Sequence, residues 1–154
     1  GLCLAFPGKT AVSGRIVMGV GDMNLTFKTY LTSQIDFTVE NDFVTAIKGD
    51  GIDALHLREY MQAWNDKNAY GLSHVGWGVN PGAQWVSAAM YDKRDMQAVE
   101  FRALAGSFLW STGANQYAGR YTHGHFDLPM RNCTIALDGR VVVKEGVLQG
   151  DLAL

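Results

Sequence analysis

Apolar and polar residues alternate with a period of two along much of the chain, and this pattern predicts strands. GRIVMGVG (14–21), NLTFKTYLTS (24–33), IDFTVEND (35–42) and DFVTAIKGDG (42–51) each read as a strand, with turns at Asn41–Asp42 and Gly49–Asp50–Gly51. IDALHLREYMQAWNDK (52–67) predicts the one main helix, with Asp53 as a cap near its start and Leu55, Tyr60 and Trp64 among its apolar positions. YGLSHVGWGVNPGAQW (70–85) reads as a strand running into a loop rich in glycine, and WVSAAMYDK (85–93) fits a short helix or a strand equally. VEFRALAGSFLWST (99–112) reads as a buried strand region followed by the loop GANQYAGR (113–120). RYTHGHFDLPMRNC (120–133) reads as a strand, and CTIALDGRVVVKEG (133–146) as a hairpin turning at Asp138–Gly139. Strands interrupted by a single main helix define an α+β class, and without repeat or linker residues 1–154 form a single domain.

Composition narrows the function classes. The 154 residues suffice for one domain with a sizeable core, and 47% apolar with 18% charged residues is an ordinary globular balance. A net charge of −2, with 13 scattered Lys and Arg, argues against a nucleic-acid role. No apolar run approaches the ~18 residues of a membrane span, and the opening GLCLAFPGKT lacks the basic region of a secretory signal. Cys3 and Cys133 are the only cysteines, too few for a disulfide framework, so a reducing cytoplasm is the default location. The Gly start and abrupt apolar beginning lead us to expect a piece of a longer polypeptide.

Candidate chemistry concentrates in 120–133. His123, His125 and Asp127 share one face of a regular strand, open to three interpretations: a metal site, a proton-shuttling cluster, or polar groups satisfied in a core. The H-x-D pair would place its Cα atoms roughly 6.5–7 Å apart, which lets a nitrogen and a carboxylate oxygen each meet one cation at about 2.0–2.2 Å. A further histidine would complete a 2-His-1-carboxylate triad of the kind that suits non-haem Fe(II). His123 is a substitute for His125 or lies behind it, and His74, at the end of its strand, is either the third ligand or a packed strand histidine. His56, between Leu55 and Leu57, has no potential ligand at i+4 and reads as structural or surface.

Arg102, a charge within an apolar run, needs an anion, either an internal carboxylate or an ionised substrate oxygen. Ser111 organises its turn or donates to a ligand; no G-x-S-x-G elbow surrounds it. Neither cysteine has a partner at zinc-finger spacing, and GVGDMN lacks the helix that a dinucleotide fold requires.

Four stretches in this order, FPGKT, HVGWGVNPGA, RALAGSFLWSTGAN and HFDLPMRNCTIALDG, resemble a two-domain metalloenzyme superfamily. It contains the thermophilic-type metallo-aminopeptidases and the ring-opening 2,5-dihydroxypyridine dioxygenases. The resemblance covers essentially the whole chain and matches the C-terminal metal-binding domain, with an N-terminal domain of the same polypeptide as partner. The aminopeptidases hold two metals and place a glutamate where His74 stands and a metal-binding histidine near Arg102. These departures favour the dioxygenase branch. The resemblance then implies one Fe(II) on His74, His125 and Asp127, with Arg102 and Ser111 at substrate-contacting positions and His123 at the pocket rim or behind the ligands. It further implies dioxygen and a small N-heteroaromatic substrate such as 2,5-dihydroxypyridine, and ring opening to N-formylmaleamate; separately, a homo-oligomer is expected. The alternatives are a metallo-aminopeptidase using zinc, cobalt or manganese, and a domain that oligomerises without activity.

Overall fold

The first half of the chain is built from antiparallel ribbons. In a computed structural model, which describes residues 1–153, β1 (Leu2–Ala5) and β2 (Gly14–Met18) precede a two-stranded hairpin of β3 (Met23–Asn24) and β4 (Thr29–Tyr30). The single strand expected over 24–33 is therefore folded back on itself, with Lys28 at positive φ in the turn. β5 (Ile35–Glu40) and β6 (Phe43–Lys48) follow the alternation, and Asn41–Asp42 turns between them with both residues at positive φ. α1 (Ile52–Ala63) stops four residues short of the expected end. Asp53 does not cap it: Gly51 occupies the cap, and the Asp53 carboxylate accepts from the backbone and hydroxyls of Thr32 and Ser33. The stripe α1 buries is Ala54, Leu57 and Met61, while Leu55, Tyr60 and Trp64 lie at the surface.

The second half supplies the central sheet. β7 (Leu72–Gly78) leads through α2 (Ser87–Met90) to α3 (Val99–Ala103), then β8 (Phe108–Asn115) and β9 (Arg120–Met130). The strand expected over 99–112 is thus a short helix, a turn and the start of β8, and the expected loop from 113 begins as strand. The chain reverses at Gly106, whose φ of +80° and contact with the Gly146 backbone leave no room for a Cβ. β10 (Ile135–Leu137), β11 (Arg140–Lys144) and β12 (Val147–Leu148) form a small meander whose first turn is Asp138–Gly139.

The sheets run β1-β7-β8-β9 and β2-β5-β6, all antiparallel. One face of the central sheet carries Trp110, Phe126, Leu128 and Met130 into a core with Ile35, Phe37, Leu57 and Met61. Phe37 meets Trp110 edge to face at 4.8 Å. Each such side chain contributes about 1.5–3 kcal/mol by leaving water, so the orientation of this sheet is strongly determined. A second core of Met23, Leu25, Trp85, Met96 and Phe101 ties the β3–β4 hairpin to α3. The strand-rich domain therefore has one apolar sheet face in its main core and a second face on which polar side chains can gather. No helix among the described residues is long and apolar enough to cross a membrane.

Candidate metal centre

The second face is made by a break in strand regularity. Leu72 pairs with Thr112 and Val75 with Trp110, so Ser73 and His74 together oppose the single residue Ser111. This is a β-bulge. Regular alternation would put His74 on the same face as Leu72, in the main core. The bulge instead turns it to the opposite face while Leu72 and Val75 both pack against the core. Ser111, fully buried in mid-strand rather than at the start of a loop, closes the ladder: its Oγ accepts the His74 N–H at 3.1 Å and lies 3.3 Å from the His74 carbonyl, to which it donates.

β9 brings the other two groups. Asp127 pairs with Ser111 and His125 with Gly113, so both side chains share the face that receives His74. Gly113 is required there: at φ +124° a Cβ would stand 2.3 Å from the Gly124 carbonyl oxygen and 3.1 Å from His125 Nδ1. His123, expected on this same face, does not join. Between the Gly113–His125 and Asn115–Arg120 pairs β9 carries extra residues, the alternation breaks, and His123 is exposed near Asp66.

The resulting cluster is tight. Nε2 of His74 and Nε2 of His125 lie 3.5 and 3.3 Å from Oδ1 of Asp127. One ligand atom from each of the three residues falls within 4.8 Å of the others. Two donors at about 2.1 Å from one cation and roughly 90–115° apart would be about 3.0–3.5 Å from each other, so both imidazole-to-carboxylate distances are compatible with a single ion. Asp127 Oδ1 is buried and has no hydrogen-bond partner among the described residues, an arrangement that costs stability unless a cation meets it. The donor set, two imidazoles and a carboxylate, suits a divalent transition metal.

Arg102 arrives from α3, which lies against β7 where Gly78 has no side chain to hold it off. Its Nη1 donates to Asp127 Oδ2 at 3.1 Å. Burial works to raise the Asp127 carboxyl, but the adjacent His125 and the charges of His74 and Arg102 outweigh it and hold it below the usual carboxylate range. Burial also lowers the His74 imidazole, against the pull of Asp127 and reinforced by His125 and Arg102, which favours the neutral form that binds metal. A cleft of about 160 Å³ opens on the cluster, lined by Leu25, Thr26, Ala98, Arg102, His125 and Asp127. Sequence reasoning passed over Phe6, whose ring packs on His74, because no periodic pattern links residues so far apart in the chain.

The family model for 2,5-dihydroxypyridine 5,6-dioxygenase matches residues 1–150. The chain belongs to the 2,5-dihydroxypyridine 5,6-dioxygenase family. It is 42% identical over 148 residues to the 2,5-dihydroxypyridine 5,6-dioxygenase of Pseudomonas putida KT2440, covering 95% of this chain and 42% of that protein. The solved structure of the 2,5-dihydroxypyridine dioxygenase from Pseudomonas putida KT2440 superposes with a TM-score of 0.95 at 39% identity, covering 100% of this chain and 45% of the other. The chain thus spans less than half the length of these dioxygenase relatives. The family match favours the dioxygenase branch over the aminopeptidase alternative.

Proposed function

We propose that this chain carries the metal-binding part of a ring-cleaving dioxygenase that opens a hydroxylated pyridine such as 2,5-dihydroxypyridine to N-formylmaleamate. In this reading His74, His125 and Asp127 hold one Fe(II). The observation that carries it is the unpartnered Asp127 Oδ1 facing two imidazole nitrogens, in a chain of this family. These three residues would hold the ion, and a bound Fe(II) would supply the electron density and the Lewis-acid site that dioxygen chemistry on an aromatic ring requires.

The chain's own residues prepare that site. Arg102 occupies Oδ2 of Asp127 and so presents the carboxylate through one oxygen. The same guanidinium lines the cleft, where its charge would stabilise a ring hydroxyl as it ionises. Ser111 keeps the bulge closed beneath His74. Leu25 and Ala98 give the cleft an apolar wall on which a flat ring can rest. Its ~160 Å³ is about half of the smallest usual ligand pocket, ~300 Å³. In our proposal the remaining wall comes from the N-terminal domain of the longer polypeptide, within a homo-oligomer. The greater length of the relatives supports a further part of the polypeptide beside this one.

The test is an oxygen-electrode assay on the full-length protein, reconstituted anaerobically with Fe(II) and then given 2,5-dihydroxypyridine and air. Oxygen uptake matched by loss of the pyridine absorbance, and abolished in His125→Ala, is the expected result. Release of amino acids from peptides without oxygen uptake would overturn the proposal.

A further inference from the structure

Histidines that bind metal ordinarily donate their second ring N–H to a carboxylate or carbonyl, which fixes the ring. His74 has no such partner. With Nε2 turned to Asp127, its Nδ1 is buried and unbonded among the described residues. The ring is held by packing instead. Phe6 meets it edge to face, centroids 5.6 Å apart at 70°, and His125 lies 5.4 Å away on the cleft side.

The register explains why Phe6 is there. β1 pairs antiparallel with β7, ending at Ala5 opposite Val75, so the next residue along, Phe6, falls at the level of His74. Tyr117, just past the end of β8, backs Phe6 at 5.6 Å. Phe6 is 45% exposed and outside the apolar clusters, so core burial does not account for its placement. Its ring neighbours are the His74 imidazole and Tyr117.

We infer that Phe6 is a positioning residue for His74: its ring takes the role of the missing outer hydrogen bond and holds Nε2 aimed at the metal position. The inference rests on His74 being a metal ligand, as proposed above. Losing an outer partner of a metal-binding histidine typically weakens metal binding 10–100-fold. The lower end applies here, because the bulge and Ser111 still fix the His74 backbone.

The experiment measures binding of Fe(II), and of Co(II) as a spectroscopic probe, to the full-length protein without substrate. Phe6→Ala should bind Fe(II) about tenfold more weakly and shift the visible Co(II) bands, while the metal-free protein keeps its melting temperature. Phe6→Tyr should stay within about twofold of wild type. Fe(II) affinity within twofold and unchanged Co(II) bands in Phe6→Ala would overturn the inference. His74→Ala separates the two levels: unaltered metal affinity in that variant would remove the ligand assignment and this inference with it. Loss in His74→Ala but not in Phe6→Ala would remove this inference alone.

Discussion

Arg102 and His74 divide the carboxylate of Asp127 between them: Nη1 of Arg102 lies 3.1 Å from Oδ2, while Nε2 of His74 lies 3.5 Å from Oδ1. One oxygen is paired with the guanidinium, and the other, which faces the two imidazoles, is the one proposed to meet a metal. Arg102→Gln should therefore leave a bound metal in place but free Oδ2 to compete for a substrate position. A charge-assisted hydrogen bond is worth about 1.5–3 kcal/mol, reduced by the partial exposure of Arg102. We expect kcat/KM to fall roughly 10–100-fold with metal content retained. Steady-state kinetics beside metal analysis checks this, and unchanged kcat/KM would contradict it.

Ser111→Ala separates a structural from a substrate-contacting serine. The hydroxyl is fully buried and bonded to both backbone groups of His74. Its loss leaves two buried polar groups unsatisfied, at about 1–3 kcal/mol. The expected signature is a lower melting temperature and weaker metal binding in the absence of substrate. A change confined to KM would instead place the serine on the substrate.

Gly113→Ala should damage the site from beneath. The added Cβ would collide with the Gly124 carbonyl and crowd His125 in a backbone conformation unfavourable to L-residues. Backbone strain alone costs ~1–3 kcal/mol. A melting curve and a metal titration on the same sample should both show loss; a neutral outcome in both would mean that β8 and β9 are placed differently.

Acid should unfold the protein partly through Asp42. Burial raises its carboxyl, but the backbone N–H groups of Val12, Thr10 and Ala11 and the charge of Arg120 outweigh it, so the folded value is lowered. A lowered folded value means a stabilising contribution that is complete above the unfolded value of about 3.9 and is lost as pH falls through the folded one. Asp42→Asn leaves Arg120 buried without its partner, at about 3 kcal/mol near neutral pH. Denaturant melts at several pH values should show that penalty shrinking towards acid.

Much of this was legible in the sequence, and the exceptions have physical causes. Alternation revealed β5, β6, β7 and β9, and the Asn41–Asp42 turn was readable because few other dipeptides accept positive φ twice. Arg102 was recognisable as a charge that needed an anion, and that anion is Asp127. The pattern around Arg102 misled because a helix as short as Val99–Ala103 shows too little periodicity to distinguish it from a buried strand. His123 misled because alternation assumes a regular strand, and β9 is irregular there. The same assumption hid why His74 reaches the site, since a bulge leaves no signature in the order of apolar residues. Gly113 gave no clue either: its sequence context reads as the start of a loop, and only the structure puts it inside β8, where the β9 backbone approaches closely.

The most direct measurement counts metal. Full-length protein reconstituted anaerobically with Fe(II), freed of unbound ion and analysed for iron per chain, should hold one ion. That ion should be lost in His125→Ala and Asp127→Ala. Two ions per chain, or one ion retained in both variants, would contradict the proposed mononuclear site on His74, His125 and Asp127.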